Sequence, residues 1–171
     1  MWEHSVDLYI DHEAGSNITR IQGTTKKKAV ATIRDVLDDY ADDPDGTLTA
    51  IASALEDQFE TISSGRAMTI ARTETHNAAS YATRKAAEAL KVPNMTKEWV
   101  PVLDKRTRDG HAEMEGYGPI EMHEKFQVEG DDGVDDMDGP GDQSASASNT
   151  INCRCVLVFD TGDSDTGEDD E

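Results

Sequence analysis

The sequence predicts an α+β fold in which about three helices come first and a small β-sheet with long loops follows. Between residues 24 and 91, apolar side chains recur every three or four positions, as they do on one face of a helix. Beyond Pro93 this period disappears, and short apolar runs alternate with stretches rich in Gly, Asp and Ser. The length of 171 residues is that of one domain with its own core. We therefore expect a single domain over residues 16–160, helical over 24–91 and with a small sheet over 97–159.

The first two predicted helices are amphipathic and are separated by a turn. A threonine directly after Gly23 can cap the first helix. The apolar face of that helix comprises Val30, Ile33, Leu37 and Tyr40. The segment Asp42–Gly46 predicts a turn, because its proline fixes φ and its glycine can adopt a positive φ. A second helix follows over 47–63, with an apolar face made of Leu48, Ile51, Ala52, Leu55, Phe59 and Ile62.

The longest predicted helix runs from Gly65 to Leu90 and should support the rest of the domain. Its buried stripe is narrow and comprises Ile70, Thr73, Asn77, Ala78, Ala82, Ala86 and Leu90. Small residues let neighbouring backbones approach closely, so we expect tight packing with polar groups on the same face. Pro93 ends the helix, because proline disfavours the helical conformation in the residue before it.

Short strands and long loops are predicted after the helices. Residues 97–104 indicate a strand anchored by Trp99, and Pro101 places it at a sheet edge or ends it early. A helical turn is expected at His111–Met114, within a loop.

The remainder of the second half alternates between weak and strong strand signals. A weak strand is expected near Phe126 and Val128. Residues 129–149 are rich in Gly, Asp and Ser and predict a long loop or an exposed hairpin tip. Residues 151–159 predict the best strand of the chain, buried in a small sheet beside Trp99.

The two ends of the chain are expected to lie outside the domain core. Residues 1–15 mix apolar, histidine and acidic residues, which indicates a short strand or an N-terminal arm that docks on a partner. Residues 161–171 predict a disordered acidic tail. No apolar run approaches the roughly 18 residues of a membrane span, and the N-terminus lacks the features of a signal peptide. We expect a soluble protein made in the cytoplasm, with no membrane partner.

The charge is strongly negative, because 16 Lys and Arg oppose 36 Asp and Glu for a formal net charge of −20. Two explanations are open: avoidance or mimicry of nucleic acid, and adaptation to molar salt, where the screening length shrinks to about 3 Å. Three features favour adaptation to salt: the chain has only 8 lysines, its 22 Asp outnumber its 14 Glu, and it has few aromatic residues. General DNA binding is disfavoured by this charge because phosphate affinity depends on clustered Lys and Arg, and it would rely on local basic groups such as Lys26–Lys28 and Arg106–Arg108.

One histidine and the two cysteines are the candidates for a metal site. Cys153 and Cys155 are separated by one residue, so a disulfide between them would constrain little of the chain. If the two best strands pair, His111 could face both thiols, with His123 or Asp104 available as a fourth ligand. Such a soft donor set suits zinc. The alternative is a buried pair of thiols with a hydrogen-bonded histidine, since cysteine is often a core residue.

The sequence offers weaker signals for catalysis and for cation binding. A nucleophilic cysteine would use His111 as its base, but the sequence shows no oxyanion pocket. The GxSxG elbow, the HExxH motif and a phosphate-cradling Gly-rich loop do not occur. A cluster of acidic residues could collect hard cations, although its spacing does not match an EF-hand and a solvated loop is the simpler interpretation. Its members are Asp131, Asp132, Asp135, Asp136 and Asp138.

Four short stretches occur in a distinctive order. They are RAMTIARTET (Arg66–Thr75), Trp99 followed by D-x-R-x-R-x-x-H (Asp104–His111), PGD (Pro140–Asp142) and NCRC (Asn152–Cys155). This ordered set resembles the phage Mu F-like family of minor head proteins, also called head morphogenesis proteins. The resemblance covers about residues 16–160 and identifies them as a Mu F-like domain.

The resemblance implies a low-copy virion protein of a tailed virus, located inside the capsid near the portal. Its implied role is in head assembly and in packaging or delivery of DNA, and its implied partners are the portal protein, the inner capsid and the packaged DNA. The residues that match the family's characteristic positions should form one polar cluster between the long helix and the sheet. They are Arg72, Glu74, Trp99, Asp104, Arg108, His111, Asn152, Cys153 and Cys155.

The chain departs from the family pattern in two ways. Many relatives carry a longer helical region before this domain, so the chain is either a compact member or a fragment. The loop between Phe126 and Pro140 is unusually acidic, which together with the net charge favours a virus of a halophilic archaeon. The family domain also occurs joined to toxin domains, and we expect no such additional domain within these 171 residues.

We expect the function to lie in surfaces rather than in turnover, with the N-terminal arm and the acidic loop as contact regions. The alternative is an enzyme of one of two kinds. A metal-assisted hydrolase, a nuclease or a toxin-like enzyme would use His111, Cys153 and Cys155, and a transferase would use the region of Arg72 and Glu74.

Overall fold

A computed structural model describes residues 4–5, 8–9, 23–39, 44–59 and 62–162. The first half is helical, with α1 at Gly23–Asp39, α2 at Pro44–Gln58 and α3 at Ser64–Leu90. The second half contains short strands and helical turns, which confirms the predicted α+β class. In order they are β1 (Thr96–Val100), α4 (Asp109–Ala112), a 3₁₀ turn (Glu113–Gly116), β2 (Ile120–Glu121), β3 (Phe126–Gly130), β4 (Gly133–Met137), α5 (Ala147–Thr150) and β5 (Val156–Asp160).

The described strands form two small antiparallel sheets. In the first sheet, β1 lies between β2 and β5, and Trp99 is opposite Leu157. In the second sheet, β3 and β4 form a hairpin with Phe126 opposite Met137. The last strand therefore pairs with the first, which places the residues before β5 beside the residues after β1.

The helix boundaries agree with the predictions at α3 and correct them at α2. α2 begins at Pro44, which the sequence had placed in the turn Asp42–Gly46. Proline is tolerated at the first position of a helix, because an N–H group there would have no acceptor within the helix. The same helix ends at Gln58, short of the predicted residue 63. α3 begins one residue before the predicted Gly65 and ends at Leu90, where Lys91 adopts a left-handed φ of 53°.

The first core lies among the three helices and is aliphatic. Its buried members are Ala29, Ile33, Ile51, Ala52, Leu55, Ala67, Ile70 and Ala71. Most of them belong to the predicted apolar faces, whereas Ala29, Ala67 and Ala71 do not. Two members of the predicted α3 stripe are not fully buried, because Leu90 is 63% exposed and Ala86 is half-buried. The last buried residue of α3 is Ala87.

The second core lies between the two sheets and is aromatic and sulfur-rich. Its buried members are Trp99, Met114, Phe126, Val128, Met137, Cys153 and Cys155. Trp99 and Phe126 pack edge to face, with ring centres 5.6 Å apart. Lys97 is buried beside them, and its Nζ donates to the Asp138 carbonyl at 2.9 Å and lies 5.4 Å from the Phe126 ring centre.

Both predicted strands of the first sheet are shorter than expected. β5 spans Val156–Asp160 rather than 151–159, and it is not buried, since Val156 and Val158 are 48% and 50% exposed. Asn152 adopts a left-handed φ of 55°, so the chain turns before the strand begins. β1 ends at Val100 rather than residue 104, because Pro101 has no N–H to donate to a ladder.

Residues 129–149 form a hairpin and a folded return segment, not one long loop. The hairpin tip is exposed, as expected, but Gly139–Gly141 is buried. The Asp135 carboxylate accepts hydrogen bonds from the Ser146 N–H at 3.0 Å and from the Asn149 side chain at 2.8 Å. Burial opposes ionisation of Asp135, but these hydrogen bonds outweigh it and lower the pKa of the carboxyl group. Asp135 therefore links the segment around Ser146 and Asn149 to the hairpin by hydrogen bonds.

Parts of the prediction concern residues outside the described ranges. They include most of the N-terminal arm, the tail from residue 163 onwards, the turn residues 42–43 and the side chains of Leu37 and Tyr40. Within the described ranges, no helix combines the length and apolar character needed to cross a bilayer.

Candidate functional site

His111 and the two cysteines meet in the second core. The Nδ1 atom of His111 lies 3.4 Å from Cys155 Sγ and 3.7 Å from Cys153 Sγ. All three side chains are 2–4% exposed, and their three donor atoms lie within 4.8 Å of one another. The meeting follows from the pairing of β1 with β5, because His111 follows β1 and the cysteines precede β5.

Two arginines hold together the segments that carry these residues. Arg154 lies between the cysteines, and its guanidinium donates to both oxygens of Asp104, with an Nη2–Oδ1 distance of 2.8 Å. Arg108 donates to the carbonyl oxygen of Ile151. Side chains alternate in direction along this segment, so the thiols are buried while the arginine between them reaches the surface.

The long helix supports the same region with polar side chains. The Oγ1 atom of Thr73 accepts a hydrogen bond from the Asn152 N–H at 3.0 Å. Asn77 packs so closely on Gly141 that a Cβ at this glycine would overlap the Asn77 side-chain oxygen. α3 therefore contacts both the NCRC segment and the PGD segment.

Trp99 forms one wall of the site. Its ring is perpendicular to the His111 ring, with an interplanar angle of 87° and a centre-to-centre distance of 5.3 Å. This edge-to-face packing limits rotation of the imidazole and so restricts the position of its Nδ1 atom. The indole N–H makes no hydrogen bond of ordinary geometry within the described part of the chain, but a weaker interaction with Cys155 helps to stabilise the thiolate.

The surroundings of the two thiols shift their pKa values in opposite directions. A hydrogen bond from the Cys153 thiol lowers the pKa of Cys155, and a further one from His111 acts in the same direction against the effect of burial. The same hydrogen bond and burial raise the pKa of Cys153. The arrangement favours a Cys155 thiolate beside a neutral Cys153 thiol.

His76 is a neighbour on α3 that sequence reasoning did not single out as a site residue. Its Nε2 atom is enclosed and has no hydrogen-bond partner among the described residues. Burial lowers the pKa of His76, the negative charge of Cys155 partly offsets this, and His111 adds to the lowering. The usable signal was the helical period, because His76 lies one turn after Thr73, which belongs to the predicted buried stripe.

The structure does not bring all nine family-motif residues into one cluster. Trp99, His111, Cys153 and Cys155 are in mutual contact, and Arg108 and Asn152 brace the segments around them. Arg72 is exposed on α3, whereas Glu74 is buried and accepts a hydrogen bond from the Tyr9 hydroxyl at 2.8 Å.

The two residues that the sequence suggested as a fourth metal ligand lie away from His111 and the cysteines. Asp104 is exposed and engaged by Arg154, which holds the pKa of its carboxyl group well below the usual range. His123 is also exposed, and its Nδ1 lies 3.3 Å from a carboxylate oxygen of Glu121.

A family model described as "Phage Mu protein F like protein" matches residues 13–158, which contain all four motifs. The chain belongs to this family. In this Mu F-like chain, the segments that carry the four motifs therefore lie close together where α3 packs on the first sheet. No solved structure matches the chain.

Two curated relatives match parts of this Mu F-like chain. Minor head protein GP7 of Bacillus phage SPP1 is 37% identical over 100 residues, which are 57% of this chain and 30% of GP7. The NAD(+)–arginine ADP-ribosyltransferase EFV of Enterococcus faecalis is 34% identical over 95 residues, which are 54% of this chain and 18% of that protein. The chain therefore spans less than a third of the length of either relative.

Proposed function

We propose that this protein is a minor head protein that acts in head morphogenesis of a tailed virus. The observation that carries the proposal is the family match over residues 13–158, and the similarity to GP7 supports it. The burial of His111, Cys153 and Cys155 is consistent with a structural role. Side chains that are only 2–4% exposed connect segments of the fold and are not accessible to a substrate.

We further propose that the protein is a low-copy component of the virion near the portal and the inner capsid, where it assists packaging or delivery of DNA. Quantitative mass spectrometry of purified virions tests this location, with intact particles compared with particles emptied of DNA. A few copies per particle are expected, well below the major capsid protein. Absence from particles that nevertheless require the gene would contradict a virion location and indicate a transient assembly factor.

The N-terminal arm is the proposed portal contact. Deletion of residues 1–13 should abolish co-purification with the portal protein. The deletion also removes Tyr9, which is buried and bonded to Glu74, so the matched control is Tyr9→Phe, which removes only the hydroxyl. Undiminished portal binding by the deletion variant would overturn this contact, and equal loss in Tyr9→Phe would trace the defect to α3.

Contact with packaged DNA is proposed only through local basic groups. Lys27, Lys28 and Arg106 are exposed, whereas Arg108 is engaged by a backbone carbonyl. Phosphate contacts are strongest at low salt, and any binding should weaken steeply as salt is added. Undetectable DNA binding at low salt would exclude this part of the proposal.

The acidic surface is proposed as an adaptation to molar salt, as expected for a virus of a halophilic archaeon. Exposed carboxylates such as Asp131, Asp132 and Asp136 crowd the hairpin, and the net charge is −20. Lowering the salt from molar to about 0.1 M extends the screening length to about 10 Å and strengthens their repulsion. We expect loss of helical circular dichroism, and a signal that does not change would count against the adaptation.

We do not extend transferase activity to this chain. The similarity to the ADP-ribosyltransferase covers 18% of that protein's length. The hypothesis of a transferase site at Arg72 and Glu74 also lacks geometric support, because one side chain is exposed and the other is buried against Tyr9.

A further inference from the structure

The distances from the His111 nitrogen to the Cys153 and Cys155 sulfur atoms match those between ligands of a tetrahedral zinc ion. Zinc–sulfur bonds of about 2.3 Å and zinc–nitrogen bonds of about 2.0–2.1 Å, at tetrahedral angles, separate nitrogen from sulfur by about 3.6 Å. The observed Nδ1–Sγ distances are 3.4 and 3.7 Å. One ion could contact all three atoms with little movement of the backbone.

The chemistry of the three donors selects the class of ion. Thiolates and imidazole are soft or borderline ligands that prefer zinc to calcium or magnesium. The Nδ1 atom carries either one hydrogen or one lone pair, so it can form a full hydrogen bond to only one of the two sulfur atoms, whereas a metal ion can bind all three atoms. Neither cysteine forms a disulfide, so both sulfur atoms are available to a metal.

A fourth ligand is needed for a closed structural site, and the described residues offer one candidate. His76 is partly buried on α3, its Nε2 is enclosed without a hydrogen-bond partner there, and it is close enough to interact electrostatically with Cys155 and His111. It lies outside the group of atoms within 4.8 Å of one another, so its ring must shift to reach the ion.

We propose that His111, Cys153 and Cys155 bind one Zn²⁺ ion, with His76 moving into the fourth position. The ion joins three segments that are distant in sequence: α3, the α4 turn and the NCRC segment. It therefore has a structural role and cross-links the long helix to the first sheet. This inference does not depend on the proposed role in head assembly.

The test measures metal content and coordination in the full chain. Purified protein is reconstituted with Zn²⁺ and, in parallel, with Co²⁺, whose visible spectrum reports coordination number and thiolate bonds. We expect one equivalent of zinc by elemental analysis and a tetrahedral cobalt spectrum with thiolate charge-transfer bands. No retained metal in folded wild-type protein would overturn the proposal.

The variants separate the ligands from their neighbours. Cys155→Ser and Cys153→Ser should weaken metal binding by about 10–100-fold or more and remove charge-transfer intensity. His123→Ala is the matched control, because that histidine is exposed and should leave binding unchanged. Equal loss in His123→Ala would place the metal on the surface and refute the site.

His76→Ala tests the fourth position. It should weaken binding and shift the cobalt spectrum, whereas unchanged affinity and spectrum would remove His76 from the ligand set. Should a cysteine variant not fold, a chelator added to wild-type protein gives an independent readout. We expect the melting temperature to fall on chelation, since an ion that binds only the folded state stabilises it, and a constant melting temperature would argue against a structural ion.

Discussion

The two cores of this protein are built by different rules. The helical core consists of aliphatic residues such as Ile33, Leu55 and Ile70, which lie on faces that repeat every three or four positions. The sheet core consists mainly of aromatic and sulfur-containing side chains from β1, the 3₁₀ turn, the hairpin and the NCRC segment, and His111 of α4 packs against its Trp99 ring. The first core is encoded locally by periodicity, whereas the second depends on which strands pair.

The long helix takes part in both regions. Its first turns contribute Ala67, Ile70 and Ala71 to the aliphatic core. Further along, Thr73 and Asn77 meet the NCRC and PGD segments with polar and close-packed contacts. α3 therefore couples the two cores, and variants in each core test whether they unfold together.

The largest effect is expected for Trp99→Ala, in the sheet core. Loss of this buried ring should reduce the free energy of unfolding by about 3–5 kcal/mol, because the cavity cannot collapse against two other rings. Urea unfolding followed by circular dichroism measures it. Leu103→Ala is the control, since that side chain is 53% exposed and its loss should cost little.

Leu55→Ala should have a slightly smaller effect, about 2–5 kcal/mol, in the helical core. Leu55 is completely buried among α1, α2 and α3. In a Trp2→Phe background, Trp99 fluorescence reports the sheet core while circular dichroism reports the helices. If α3 couples the cores, both signals shift to lower urea together. Separate transitions would show that the cores unfold independently.

Gly141→Ala should destabilise the junction between the cores by about 2–4 kcal/mol, as the sum of backbone strain and steric overlap. Gly141 has a φ of +78°, and a Cβ there would overlap the side-chain oxygen of Asn77. Gly118→Ala is the matched control, because its φ is +79° but nothing lies near its Cβ position. Similar losses in thermal unfolding for the two variants would mean that the contact with α3 contributes nothing.

Asp104→Asn should have the smallest effect, since the pair of Asp104 with Arg154 lies at the surface and is screened by salt. The hydrogen bond from Arg154 lowers the pKa of Asp104 in the folded state. The pair therefore makes its full contribution to stability at pH values above 3.8, the ordinary pKa of an aspartate. As the pH falls below that value, the unfolded state binds a proton first and the contribution declines. The stability difference between wild type and variant should shrink on acidification, and a difference that grows would refute the assignment.

Much of the fold was predictable where the signal is local. The predicted helix from Gly65 to Leu90 differs from the observed α3 by one residue, because its period and its terminating proline act within a few turns. The final strand was predicted five residues too early, at 151 instead of 156. An apolar run does not reveal the left-handed turn at Asn152, which is stabilised by the hydrogen bond from its N–H to Thr73 on α3.

The sequence by itself determined the helical half, the α+β class and the candidates for the site, since periodicity, turn residues and side-chain chemistry are properties of short segments. Only the tertiary structure decided which candidates meet. The pairing of β1 with β5 brings His111 to the two thiols, while Asp104 is drawn outwards by Arg154 and Glu74 inwards by Tyr9. His76 of α3 lies near the site for the same reason: contacts between distant segments depend on how the whole chain packs, and no local pattern contains that information.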